Sequence, residues 1–297
     1  MTESFTDWPV LFNPDAGRGR VSSQKLSDLL VAGGVKARVE SVPSSDRMAE
    51  RVVEVVSTRG RVAVAGGDGT LSLTVDALCR EQWSEPPRVA MLPSGTACDF
   101  LRTFGLPRDL EKSVSRLVTR SWYDIDVGCL EGDWGRRFFV NVAEAGVGAA
   151  ATETAGRLPR WVGAARYGLG FLARLPRFPR ARVVVQGPQR AITADALAVI
   201  VANAQFFAWK WNVAPKANLV DNRLDLQVFT PRKSQLPAVV PKIIKGVHLT
   251  ERWVQRRSWQ SFEVTTDPPW PVEADGDMVG FTPMRVSSLP AAIRFKI

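Results

Sequence analysis

Apolar residues over the first 127 positions alternate between two patterns. Short, nearly continuous runs at Val10 to Phe12, Lys36 to Val42, Arg61 to Ala65 and Val89 to Leu92 read as buried strands. Between them, Val21 to Val31, Ser45 to Thr58 and Leu71 to Arg80 carry apolar residues at helical spacing. This βαβα order predicts a parallel sheet covered by helices. Turns rich in glycine or containing proline follow three of the strands, at Asn13 to Gly19, Gly66 to Gly69 and Pro93 to Gly95. In open α/β sheets the carboxyl ends of strands are where ligands bind.

After Asp126 the pattern shifts to short β-like runs at Arg137 to Val142, Arg182 to Gln186, Ala196 to Ala202, Leu224 to Phe229, Ser261 to Thr265 and Ile293 to Ile297. Amphipathic helices are expected only at Arg160 to Leu175 and Leu236 to Val247. The reading is therefore an α/β protein: an open parallel α/β domain over residues 1–127 and a mainly antiparallel, sandwich-like β domain over 128–297. The extreme C-terminus is allowed to return to the first domain.

Composition narrows the function classes. The 297 residues, 45% of them hydrophobic, can fill two cores. No secretory signal and no long apolar run is visible, which points to a soluble, cytoplasmic chain. Cys79, Cys98 and Cys129 lie too far apart for a disulfide framework or a zinc site. His248 is the only histidine and sits in no motif, so a general base is expected among the carboxylates. The net charge of +9 calls for an anionic partner. Much of it comes from Thr154 to Ala194, which has no Asp or Glu but holds Arg157, Arg160, Arg166, Arg174, Arg177, Arg180, Arg182 and Arg190.

Candidate chemistry gathers in the three turns. Gly66-Gly67-Asp68-Gly69-Thr70 follows a strand and opens a helix, so backbone N–H groups and the helix dipole can meet a phosphate. Asp68 within such a turn makes sense if Mg²⁺ lies between it and the phosphates, or as a plain helix cap. Asn13-Pro14-Asp15-Ala16-Gly17-Arg18-Gly19-Arg20 offers glycines and two arginines but lacks the Walker A ending. Pro93-Ser94-Gly95-Thr96-Ala97-Cys98-Asp99-Phe100 repeats the arrangement. Three such turns at one sheet edge make a nucleotide site.

These turns, followed late in the chain by Asp275-Gly276-Asp277, resemble the diacylglycerol kinase catalytic family, which includes bacterial lipid kinases, sphingosine kinases and ceramide kinases. The resemblance implies an ATP-dependent lipid kinase acting on a hydroxyl of diacylglycerol or a related lipid. It implies ATP contacts at Asn13, Pro14, Asp15, Ala16, Gly17, Ser41, Gly66, Gly67, Asp68, Gly69, Thr70, Leu71, Ser72, Gly95 and Thr96, with Asp99 near the lipid. It also implies Mg²⁺, with a structural Mg²⁺ loop at Asp221 and main-chain oxygens near Asn218 and Arg223. The last acid of the family's Asp-Gly-Glu takes the proton of the lipid hydroxyl; here it is Asp277, one methylene shorter, and Asp275 could share the task. Two further departures are Cys98 in place of the family's Asn, and Asn222 in place of a Gly after Asp221.

Two other functions stay open. An NAD kinase shares the Gly-Gly-Asp-Gly-Thr turn, and an inactive nucleotide- or lipid-binding homologue is compatible with the departures. Nucleic acid is not expected, because no reader motif accompanies the arginines. A homo-oligomer is left open. Membrane contact is expected to be peripheral and anionic, through Trp161, Tyr167, Phe171, Leu172, Leu175 and Phe178 interleaved with arginines.

Overall fold

Strands with no polar face need cover on both sides, and the N-terminal half supplies it with helices. In the computed structural model, which describes residues 7–159, 162, 165–208 and 210–297, the chain divides into two units. One is Met1–Val127 together with Pro290–Ile297, and the other is Gly128–Leu289.

The first unit runs β1 (Asp7–Phe12), α1 (Ser23–Ala32), β2 (Lys36–Ser41), α2 (Ser45–Arg59), β3 (Arg61–Gly66), α3 (Asp68–Cys79), β4 (Arg88–Pro93), α4 (Asp99–Thr103), α5 (Leu110–Arg116) and the start of β5 (Trp122–Gly132). Its strands β2, β1, β3 and β4 lie parallel in that order. Helix starts are written into the sequence: the hydroxyls of Ser22 and Ser44 and the carboxylate of Asp109 accept the amides of Lys25, Arg47 and Lys112. Helix α2 buries Met48, Val52, Val55 and Val56, the one-face spacing that its pattern predicts, and ends at Gly60 with φ +67°.

The second unit contains the end of β5, then β6 (Gly135–Phe139), β7 (Val142–Gly146), α6 (Val147–Gly156), α7 (Ala165–Arg174), β8 (Ala181–Gln186), β9 (Ile192–Ala196), β10 (Ala198–Ala202), β11 (Leu224–Phe229), α8 (Leu236–Ile244), β12 (Val254–Trp259), β13 (Ser261–Asp267), β14 (Pro271–Ala274), β15 (Asp277–Phe281) and the first part of β16 (Met284–Lys296). One antiparallel sheet has the order β12-β11-β10-β7-β14-β15. A second antiparallel set joins β16, β13, β8 and β9. Inward residues of both, such as Val199, Leu226 and Val272 against Val183, Val264 and Val286, form one core.

Four local readings needed correction. The predicted strand 137–142 is split at Val140 and Asn141, whose amides turn to the Asp275 carboxylate. The predicted strand 196–202 is divided: Ala196 ends β9 in one sheet, Leu197 donates its amide to the Phe229 carbonyl, and β10 starts at Ala198 in the other sheet. Helix α6 was missed: its Val-Gly-Ala-Ala-Ala-Thr-Glu-Thr-Ala-Gly sequence has small residues on every face and so no amphipathic period. The predicted helix from Arg160 is observed from Ala165; Arg160 and Trp161 lie outside the described residues.

Candidate active site

Parallel register sets the first part of the site. Phe12 lies beside Ser41 and Ala65, and Gly66 beside Pro93, so the chain leaves β1, β2, β3 and β4 at one edge. The three turns are then locked together through glycine. Gly17 has φ +61°, and a side chain there would come within 2.1 Å of the Ser94 carbonyl oxygen. A side chain on Gly95 would meet the Gly67 Cα at 2.3 Å. The Ser94 and Gly95 amides donate to the Gly66 carbonyl at 2.9 and 3.0 Å. Gly95 therefore serves by letting two backbones touch; its N–H is already engaged.

The start of α3 is the part that stays open. Its first amides, at Asp68, Gly69 and Thr70, have no partner within the helix by its geometry. Gly69 is exposed with nothing within 4 Å of where a side chain would begin. The Asn13 amide donates to Thr70 Oγ1 at 3.1 Å, while its Oδ1 accepts from the Asp15 amide at 3.0 Å, which fixes the first turn against this helix start. Asp15 and Thr96 are exposed and Pro14 and Ala16 half-buried at the same edge, as is Ser41 at the end of β2, which is exposed. The side chain of Arg18 lies outside the described residues.

Leu71, Ser72 and Asp99 lie deep among the expected contacts. Leu71 and Ser72 are completely buried on the inner side of α3, and the Leu71 amide donates to Gly67. Asp68 is half-buried and accepts the Phe100 amide at 3.0 Å, capping α4 across the turn. Asp99 is 4% exposed and paired to Arg102 at 3.0 Å, so its carboxylate supports α4 instead of facing outward. Cys98 sits at φ +49°, a backbone that Asn tolerates better than Cys. Burial, with the charge of Asp68, pushes its thiol up to about 12.

In the second unit, β14 and β15 are joined by Asp275 at φ +52° and Gly276 at φ +93°. The Asp275 carboxylate accepts three amides, Val140 at 2.8 Å, Asn141 at 2.9 Å and Val142 at 3.0 Å. It is an anchor for the segment that follows β6. Asp277 is exposed and pairs with Arg137 at 2.9 Å. Of the motif's acids it alone faces outward.

Two carboxylates that sequence reasoning missed lie directly behind this turn. Glu144 and Glu273 are paired positions on neighbouring strands β7 and β14. Glu144 accepts the Gly148 amide at the start of α6 at 2.7 Å, and Glu273 accepts the Gly276 amide at 2.6 Å. Glu273 is 1% exposed, with Oε1 lacking a hydrogen-bond partner. Burial pushes Glu144 up to about 7; burial and then the neighbouring Glu144 push Glu273 well above the usual range. The available signal was a lone acid inside each of the apolar runs Val142 to Val147 and Val272 to Ala274.

The predicted cation loop has an exposed Asp221 whose Oδ1 accepts the Arg223 amide at 3.0 Å, and Asn218 Oδ1 accepts from Val220 at 3.3 Å. Among the described residues no three His, Cys, Asp or Glu gather as a ligand set. A cation here would rest on one Asp221 oxygen and main-chain carbonyls, a donor set that suits a hard ion. The lone His248 is completely buried, its Nε2 2.9 Å from Gln227 Oε1, and burial lowers its affinity for a proton. It is a core residue.

The acid-free stretch is less uniform than its composition. Arg174 pairs with Glu153 at 2.7 Å, Phe178 is buried, and Phe171 and Leu175 pack against the core. Leu169 and Leu172 are 50% and 67% exposed. Among the described residues no helix is long and apolar enough to cross a membrane.

Comparison with known proteins bears on both units. The Diacylglycerol kinase catalytic domain pattern matches residues 7–130, and the YegS C-terminal NAD kinase beta sandwich-like domain pattern matches 141–296. A probable lipid kinase YegS-like protein of Stenotrophomonas maltophilia is 27% identical over 89% of this chain and 87% of its own length. A diacylglycerol kinase of Mycobacterium tuberculosis is 30% identical over 78% of this chain and 75% of its own. A crystal structure of a diacylglycerol kinase from Bacillus anthracis strain Sterne has a TM-score of 0.74 at 17% identity, covering 98% of this chain and 96% of that one. At that identity it establishes the shared fold.

Proposed function

Because the chain belongs to the diacylglycerol kinase-like family of lipid kinases, we propose that it transfers the γ-phosphoryl group of ATP to a hydroxyl of diacylglycerol or a related lipid. The observation that carries this reading is the glycine-locked set of three turns around the open start of α3. The amides of that helix start and the Asn13–Thr70 bond suit the phosphate chain of ATP. Asp68, with one oxygen capping α4, presents its carboxylate at the same mouth and fits a hard cation. Mg²⁺, when bound there, neutralises phosphate charge. Asp221 fits a second, structural cation.

Proton removal from the lipid hydroxyl falls to Asp277. Asp275 is taken up by three amides and Glu273 is buried, so Asp277 is the acid of this turn that a lipid hydroxyl can reach. Arg137 pairs with Asp277 at 2.9 Å and fixes its carboxylate on the outer side of the turn. Exposed leucines on α7 support contact with the lipid surface, with the enzyme peripheral to the membrane and cytoplasmic.

The test is incubation with γ-labelled ATP, Mg²⁺ and either diacylglycerol in mixed micelles or NAD, with the product identified by mass. A labelled lipid phosphate is expected; NADP as sole product would replace the reading, and no product would favour an inactive homologue. In the same assay Asp277→Asn should lower kcat by more than it raises the KM for ATP, while Asp277→Glu should retain activity. Wild-type behaviour of both variants would move the base elsewhere.

A further inference from the structure

A basic, open-mouthed cavity of about 650 Å³ lies wholly within the second unit, away from the Asp275–Asp277 turn in sequence, and is lined by Arg177, Phe178, Arg180, Asp195, Arg232 and Lys233 among others. Its walls are fixed by two cations. Arg180 pairs with Asp195 at 2.7 Å and donates to the Pro231 carbonyl at 2.6 Å, and Lys233 donates to the Pro176 carbonyl at 2.9 Å. Asp195, the acid lining the cavity, is thus spent on Arg180. Arg177 and Arg232 are exposed and have no ion-pair partner among the described residues. Two guanidinium groups left over at a rigid concave wall suit the planar, bidentate recognition of a phosphate.

Position indicates where that phosphate comes from. Arg177 lies in the turn that continues α7, its amide donating to the Arg174 carbonyl at 3.2 Å. The same helix exposes Leu169 and Leu172. Apolar side chains on a helix that leads directly into a basic cavity match a membrane surface, with acyl chains meeting the leucines and a headgroup meeting the arginines.

We propose that this cavity is a headgroup site for the phosphate of an anionic membrane lipid, built from residues other than those of the proposed ATP-binding turns and Asp277. It rests on the lipid-kinase reading only in that the enzyme works at a membrane. The test measures binding of the full chain, without ATP, to vesicles of phosphatidylcholine alone, to vesicles containing phosphatidic acid, and to inorganic phosphate. Arg177→Ala with Arg232→Ala should weaken binding to phosphatidic acid vesicles about tenfold, at ~1 kcal/mol or somewhat less per arginine. A charge-matched control, Lys25→Ala with Lys112→Ala, should leave it unchanged. Phosphorylation of micellar lipid by the arginine variant, measured alongside, should persist, so loss of kinase activity speaks to the proposed function and loss of vesicle binding to this site. Equal losses in both double variants, unchanged binding in the arginine variant, or arginine-dependent binding of inorganic phosphate without vesicle binding would each overturn the headgroup site.

Discussion

Glu144 and Glu273 pose the sharpest question at the scale of single residues, because they are opposite positions on neighbouring strands and burial opposes the ionisation of each. Glu144 ordinarily titrates at 4.5 and is pushed up to about 7 by burial. Between those values the native state holds a proton that the unfolded state has lost, so stability is fully present below about 4.5, falls as pH rises, and levels off above about 7 for this group. Glu273, raised further by burial and by Glu144, extends the decline upward. Glu144→Gln can still accept the Gly148 amide, so it should remove up to about 3 kcal/mol of pH-dependent loss while keeping the start of α6. Urea midpoints of wild type and variant at about pH 5 and about pH 8 check this; parallel changes in the two proteins would show that Glu144 does not titrate in the window. Asp68 makes a different prediction. Asn at that position can still accept the Phe100 amide, so Asp68→Asn should melt like wild type yet lose nearly all phosphoryl transfer. If turnover survives, the carboxylate charge has no part in the chemistry, whereas a large drop in melting temperature would make Asp68 chiefly a cap.

At the scale of elements the turns depend on closeness more than on any side chain. Gly17→Ala would put a Cβ into the Ser94 carbonyl and force φ +61° on a residue that disfavours it by about 1–2 kcal/mol. The first and third turns must separate, so ATP affinity should fall more than global stability does. Calorimetric titration with an ATP analogue and a thermal melt distinguish the two; unchanged affinity would mean that the packing of the turns is incidental. This locking was only partly legible. The sequence showed glycines after three strands, because strand ends and glycine-rich turns are local signals. That Gly95 closes on Gly67, while its amide is used internally, depends on parallel register and has no local signature. The burial of Leu71 and Ser72 was hidden for the same reason: the motif marks the start of α3, but the helical turn carries those residues inward. Asp275 looked like a catalytic acid from its motif, and its three amide partners lie more than 130 positions away in the chain. The antiparallel unit was predictable in class from its alternating runs, such as β13, whereas α6 was hidden by its small residues.

At the scale of the whole molecule, the first unit is completed by the end of β16. Within it Arg294 and Phe295 of β16 lie parallel beside Arg88 and Val89 of β4, and the Arg294 side chain pairs with Asp124 at 2.6 Å. Phe295 is 1% exposed and packs edge-on against Phe100 and face-on against Phe104. Lys296 is buried with its ammonium donating to the carbonyls of Thr119 at 2.6 Å and Ser121 at 3.1 Å, and burial brings its pKa down to about 8. Because Phe100 is also the residue whose amide Asp68 holds, loss of the terminal strand should reach the three glycine-locked turns without touching them. Phe295→Ala leaves a cavity in this packing and should cost about 3–5 kcal/mol. Its signature should be local: hydrogen exchange speeds up in β4 and α4 and ATP-analogue affinity drops, while β10 and β11 keep their protection. Faster exchange spread evenly over both units would instead mean that they unfold as one cooperative body, and unchanged exchange in β4 would remove the terminal strand from the stability of the first unit.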